Sequence, residues 1–159
     1  MKRDPSLIRL SRDHHRGLVL ALRIERDLPA MDDAALERLR LDTIEFWRNG
    51  LLPHFRAECE CILTRLVRHV SPQDTLIART QADHLHLNAL LTSLVETTDA
   101  ASCRRLLSEA GALLKDHIRW EEAVLFEAAQ TQLNRGELSA LGHDIAERIA
   151  EVPPPAIWS

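Results

Sequence analysis

The sequence predicts an all-α protein, an up-down-up-down four-helix bundle with a short fifth helix at its carboxyl end. Three observations carry that expectation. Only 5 glycines and 7 prolines punctuate 159 residues, no stretch shows the alternating β-branched pattern of a strand, and apolar residues recur every three or four positions along several long segments. Four long helices joined by short connectors pack as antiparallel neighbours.

The first helix opens at Asp4-Pro5, where a proline sits at no cost in hydrogen bonding, and its pattern runs to about Asp27, ahead of Pro29. The second begins near Asp32 or Asp33 and reaches about Val70, interrupted at Asn49-Gly50 and at Pro53. A proline inside a helix removes one backbone hydrogen bond and forces a kink, here one residue before His54. Ser71-Pro72-Gln73-Asp74 reads as a cap, an N1 proline and an acidic N3 residue resembling a capping box, and it starts a third helix that ends near Thr97-Thr98. The fourth spans about Ala100 to Gln132. Asn134-Arg135-Gly136 breaks the pattern, a fifth helix runs to about Ala150, and Pro153-Pro154-Pro155 ends regular structure. Residues 1–152 therefore read as one domain and residues 153–159 as a proline-rich tail.

A chain of this length buries a sizeable core without disulfides or a structural metal, so a metal here would be functional before it is structural. The net charge is −4 and the 20 basic residues are dispersed, which argues against nucleic acid as a partner. No run of 18 apolar residues exists to span a membrane, and Met1-Lys2-Arg3-Asp4-Pro5 leads into an amphipathic helix instead of a signal-peptide core; the expected compartment is the cytoplasm. Cys59, Cys61 and Cys103 are an odd count with C-x-C spacing, which fits neither a disulfide framework nor a thioredoxin-type motif. Cys61, three residues after Glu58, reads as a small core hydrophobe.

The chemistry lies in two copies of His-x-x-x-Glu, His54 to Glu58 and His117 to Glu121, with His14 and His84 before and between them. Residues i and i+4 share one helix face a turn apart, so each pair can grip one metal ion or one each of two adjacent ions. On the first helix Arg9, Arg12, Arg16, Arg23 and Arg26 mark the solvent side. His14 then points within roughly 20° of the opposite direction, while the alternative, His15, lies about 90° off the core axis. In the third helix the stripe Ile77, Gln81, His84, Leu87, Leu91, Leu94 turns His84 inward and leaves His86 in solvent. In the fourth, Leu106, Ala110, Leu113, His117, Trp120 or Glu121, Val124 and Ala128 carry both candidate ligands on the apolar face. A buried ionised glutamate needs a cation or a proton. Imidazole with carboxylate suits iron, zinc or manganese.

These residues resemble the hemerythrin-like, or HHE cation-binding, family. Leu10-Ser11-Arg12-Asp13-His14-His15-Arg16-Gly17-Leu18 is similar to its first motif, His54-Phe55-Arg56-Ala57-Glu58 to its second, Asp83-His84 to its third, and the segment from Asp116-His117 through Trp120-Glu121-Glu122 to Phe126 to its fourth. The resemblance implies a four-helix bundle around a non-haem di-iron centre with two bridging carboxylates and a bridging oxo or hydroxo group. It makes His14, His54, His84 and His117 terminal ligands and Glu58 and Glu121 the bridges. Oxygen carriers of the family place another histidine one turn after the third-motif histidine, where this chain has Asn88. They also use an aspartate five residues after the last histidine, where Glu121 stands at four. The chain thus resembles the bacterial HHE branch. An extra exchangeable metal position favours oxidation to a stable diferric form, and ready binding of azide or NO, over reversible oxygen carriage. The amino-terminal cysteine-containing segment of relatives tied to iron–sulfur repair has no counterpart.

The function expected is that of a metal-binding protein, more than a dedicated enzyme, that senses or handles O2, NO, peroxide or iron. With no separate output domain in the sequence, a signal would pass to another protein through the fifth helix or the Pro153 to Trp158 tail. A ferritin-like di-iron oxidase needs Glu-x-x-His on two helices, and no glutamate here has a histidine three residues on. A histidine phosphotransfer bundle needs an exposed, unligated histidine, for which His15 beside Arg12 and Arg16 is the candidate. Purely structural histidines are the remaining alternative.

Overall fold

The computed structural model describes residues 2–149, and these form helices without a strand. Asp4 accepts a hydrogen bond from the Ser6 amide at 3.0 Å, starting a 3-10 turn, Pro5–Leu7, that feeds α1 (Ile8–Asp27). Asp32 caps the second helical run by accepting from Ala35 at 2.7 Å. That run comprises α2 (Asp33–Phe46), a π-helical turn (Trp47–Leu51), α3 (Leu52–Ala57), a second π segment (Glu58–Leu63) and α4 (Thr64–Leu66). It stops short of Val70. α5 (Thr75–Glu96), α6 (Ala100–Trp120), a π turn (Glu121–Leu125), α7 (Phe126–Gln132) and α8 (Arg135–Arg148) follow. Five helical runs make a helical bundle. The Ala150 end of the fifth helix and the proline tail lie outside the described residues.

Two helix starts differ from the sequence reading. Asp74, not Ser71, caps α5 by accepting from the Leu76 amide at 2.9 Å, because Ser71 to Asp74 close a separate turn through Asp74 N–H to the Ser71 carbonyl. The break falls at Leu133-Asn134, and Asn134 is already the N-cap of α8: it accepts from the Glu137 backbone N–H while the Glu137 side chain accepts from the Asn134 backbone N–H, both at 3.0 Å, so Arg135 and Gly136 are helical.

Pro53 does not interrupt the second run. A regular turn would push its ring against the carbonyl four residues back; the wider Trp47–Leu51 turn, closed by Leu52 N–H to the Trp47 carbonyl, takes up the extra residue. The π turn at Glu121–Leu125 has a second consequence, since an inserted residue rotates everything after it. Val124, expected on the apolar stripe, is 41% exposed, while Leu125, Phe126 and Ala129 are buried. In α5 Gln81 is likewise exposed and Thr80 buried.

The core forms two apolar clusters. One includes Leu20, Leu39, Leu87 and Leu107; the other includes Leu10, Ile62, Leu125 and Ile145. Along every main helix the candidate ligands fall between a member of one cluster and a member of the other: His14 between Leu10 and Leu20, His84 between Ile77 and Leu87. Gly17 lets α1 approach α6, for a Cβ there would stand 2.7 Å from Ile118 Cδ1. α8 seals the second cluster with Leu141 and Ile145 and is tied by Arg65 to Asp144 at 2.6 Å and Arg148 to Glu60 at 2.8 Å. Leu107 is fully buried, so Leu107→Ala is expected to cost about 2–5 kcal/mol in urea unfolding.

Candidate metal centre

Four helical runs converge on six side chains. His14 comes from α1, His54 from α3 with Glu58 opening the following π segment, His84 from α5, and His117 from α6 with Glu121 opening the last π turn. All six are buried, and both glutamates have no exposed surface. Their donor atoms form two overlapping groups, His14, His54, Glu58, Glu121 and Glu58, His84, His117, Glu121, each with its atoms within 4.8 Å of one another. Both carboxylates are common to the two groups.

Each histidine aims Nε2 at the carboxylates. His54 lies 3.1 Å from Glu58 Oε1, His84 3.2 Å from Glu58 Oε2, and His117 3.2 Å from Glu121 Oε2. His14 stands 3.4 Å from Glu58 Oε1 and 3.1 Å from Glu121 Oε2. Glu58 Oε1 thus faces His14 and His54, while Oε2 faces His84. Nε2 of all four imidazoles and all four carboxylate oxygens are buried without a hydrogen-bond partner. Buried polar atoms are almost always satisfied, so eight converging atoms left in this state have the character of metal donors. The profile of the hemerythrin HHE cation-binding domain matches residues 6–129.

The chain belongs to the hemerythrin HHE cation-binding family. It has no match among curated proteins or among solved structures. Within this HHE domain His15 is exposed, while Asn88 accepts a hydrogen bond from the Trp47 indole at 2.8 Å. No helix among the described residues is long and apolar enough to cross a membrane. Cys61 is buried in the second apolar cluster.

The site's electrostatics follow from burying two carboxylates among four imidazoles. Burial opposes ionisation of Glu58, but His54, His14 and His84 hold its carboxyl well below the usual range. Burial and the charge of Glu58 both oppose ionisation of Glu121, yet His117, His14 and His84 bring it down to about 2. Burial works against the imidazolium of His14, and the neighbouring Glu121, Glu122 and Glu58 carboxylates outweigh it, raising the pKa well above the ordinary value. His54 is raised against burial by Glu58 and Asp13, and His84 is pushed up to about 9 by Glu121 and Glu58. Without a metal, protons supply the positive charge that the carboxylates require.

The HHE domain also contains supporting residues that sequence reasoning missed. Glu122 Oε1 lies 2.7 Å from His14 Nδ1, Asp83 Oδ2 3.3 Å from His117 Nδ1, and Asp13 Oδ2 3.7 Å from His54 Nδ1, the last beyond hydrogen-bond reach. Arginines back these acids: Arg3 pairs with Glu122 at 2.7 Å, Arg79 with Asp83 at 3.4 Å and Arg16 with Asp13 at 3.6 Å. One signal was available, since each acid adjoins a candidate ligand in sequence. Each nevertheless serves a histidine of a different helix. A cavity of about 70 Å3, walled by Phe55, Leu114 and Ile118, reaches His14, His54 and His117 from the side of Arg16. It has room for a molecule of a few atoms.

Proposed function

We propose that the domain holds a pair of metal ions, iron by family resemblance with zinc or manganese as chemical alternatives, and uses it to sense or handle O2, NO, peroxide or iron in the cytoplasm. The single observation that supports this reading is the set of eight unsatisfied buried donor atoms shared between two overlapping groups. His14 and His54 would serve one ion, His84 and His117 the other, and Glu58 and Glu121 would join them. Iron or manganese held there would supply a change of oxidation state, and any of the three metals an exchangeable coordination position. The protein's own residues do the rest. Phe55, Leu114 and Ile118 make the approach apolar and exclude bulk water, the Glu122 and Asp83 carboxylates set which nitrogen of His14 and His117 faces inward, and Asp13 adds a negative charge beside His54. The reading is of a ligand-binding protein that passes its state to a protein partner, and not of a ferritin-like oxidase or a phosphotransfer bundle.

Metal analysis after anaerobic reconstitution with ferrous iron tests it. Two ions per chain are expected in the wild type, matching the two donor groups, and lower occupancy is expected in His54→Ala and His117→Ala. A wild-type content below about one ion per chain would refute a dinuclear centre built on paired imidazole and carboxylate donors.

A further inference from the structure

The two donor groups contain the same residue types, but they are not equally supported. Resting on the dinuclear reading above, we propose that the position between His14 and His54 is tight and fills first, while the position served by His84 and His117 is labile, so the chain passes between singly and doubly loaded states as metal supply changes. A carboxylate behind a ligating imidazole fixes its tautomer and ring orientation and raises its basicity, and losing such a partner costs about 10–100-fold in metal affinity.

At the first position one histidine has a hydrogen-bonded acid behind it and the other has an acid at ion-pair distance, its own outer nitrogen making no hydrogen bond. His14 has the shortest such contact, 2.7 Å to Glu122, and Glu122 is itself clamped by Arg3, which donates to its carboxylate and to its backbone carbonyl, each at 2.7 Å. The Phe126 ring stacks on His14 at 5.0 Å and 16°, with the Arg3 guanidinium 5.2 Å from that ring's centre. His54 has Asp13 at 3.7 Å. The second position is poorer. Asp83 backs His117 at 3.3 Å, but Arg79, which holds Asp83 at 3.4 Å, is bound more closely by Asp116 at 2.6 Å. Among the described residues no carboxylate contacts the outer nitrogen of His84. That ring is held by stacking on Phe55 at 3.9 Å and is the most exposed of the four, at 8%. Asn88, one turn further along the same helix, is engaged by Trp47 and offers no support.

Anaerobic titration of the metal-free protein with cobalt(II), followed by visible absorbance and by native mass spectrometry, separates the steps. Wild type is expected to take up one ion and then a second with about 10–100-fold weaker affinity. His84→Ala is expected to keep the tight step and lose the weak one. Glu122→Gln, outside the ligand set, is expected to weaken the tight step until the two merge, which covers the case in which the His84 variant fails to fold. Uptake of both ions by wild type in one indistinguishable step, or loss of the tight step in folded His84→Ala, would overturn the inequality while leaving the dinuclear centre standing. Wild type that binds neither cobalt(II) nor ferrous iron would instead remove the dinuclear reading itself.

Discussion

Glu121→Gln is expected to lose the coupled metal pair altogether, with a far larger effect than any single histidine substitution. Glu121 is one of only two carboxylates in the centre, belongs to both donor groups and has no exposed surface. Glutamine keeps the volume and removes the charge, leaving one buried anion to face two divalent cations. Removing one member of a buried charge pair costs about 3–5 kcal/mol, and each 1.4 kcal/mol is tenfold in affinity. Metal content and magnetic susceptibility read the result. Two strongly coupled ions retained in Glu121→Gln would rule out a bridging role for this carboxylate.

The second large effect is a reversal of pH dependence on metal loading. In the metal-free protein His14, His54 and His84 have raised values, His84 about 9. Each contributes stability that is fully present below the unfolded imidazole value near 6.5 and is lost as pH rises through the folded value. Glu58 and Glu121 have lowered values, Glu121 about 2. Their contribution is present above the ordinary carboxylate value and is lost as pH falls through the folded one. The metal-free protein is therefore expected to be most stable between about pH 4.5 and 6.5 and to melt progressively lower up to about pH 9. His84 alone accounts for roughly 3 kcal/mol of that loss. Metal binding needs neutral imidazoles, so loading at pH 7 is expected to release protons and to flatten the melting profile over the same alkaline range. Calorimetry in two buffers of different ionisation enthalpy counts the protons, and differential scanning calorimetry gives the profile. A metal-free melting temperature that climbs from pH 6.5 to 9 would contradict this account of the site's charge.

Much of the centre is legible in residue order because its decisive features are local. The spacing of His54 from Glu58 and of His117 from Glu121 puts each pair on one helix face without reference to anything else in the chain. The arginine side of the first helix orients His14 inward and His15 outward, and the structure places His14 in the cluster and His15 in solvent. The same wheel fails where the backbone leaves regular α geometry. Val124 and Ala128 were expected on the buried stripe, and the π turn that begins at Glu121 replaces them with Leu125, Phe126 and Ala129. A π turn depends on what the helix packs against, so no periodicity in the sequence announces it.

Residue order by itself determined the all-helical class and which side chains carry metal-type donors, because helix propensity, capping chemistry and i, i+4 spacing act within a few residues of each position; the family was legible only through the resemblance of its motifs. Only the tertiary structure decided that two carboxylates are common to both donor groups, that Asn88 is engaged by Trp47, and that Asp13, Asp83 and Glu122 each stand behind a histidine of another helix. Those facts depend on how each helix is rotated against its neighbours. That rotation is set by packing across the whole bundle, where Gly17 admits Ile118 and the π turns reset the buried face, and it cannot be resolved one helix at a time.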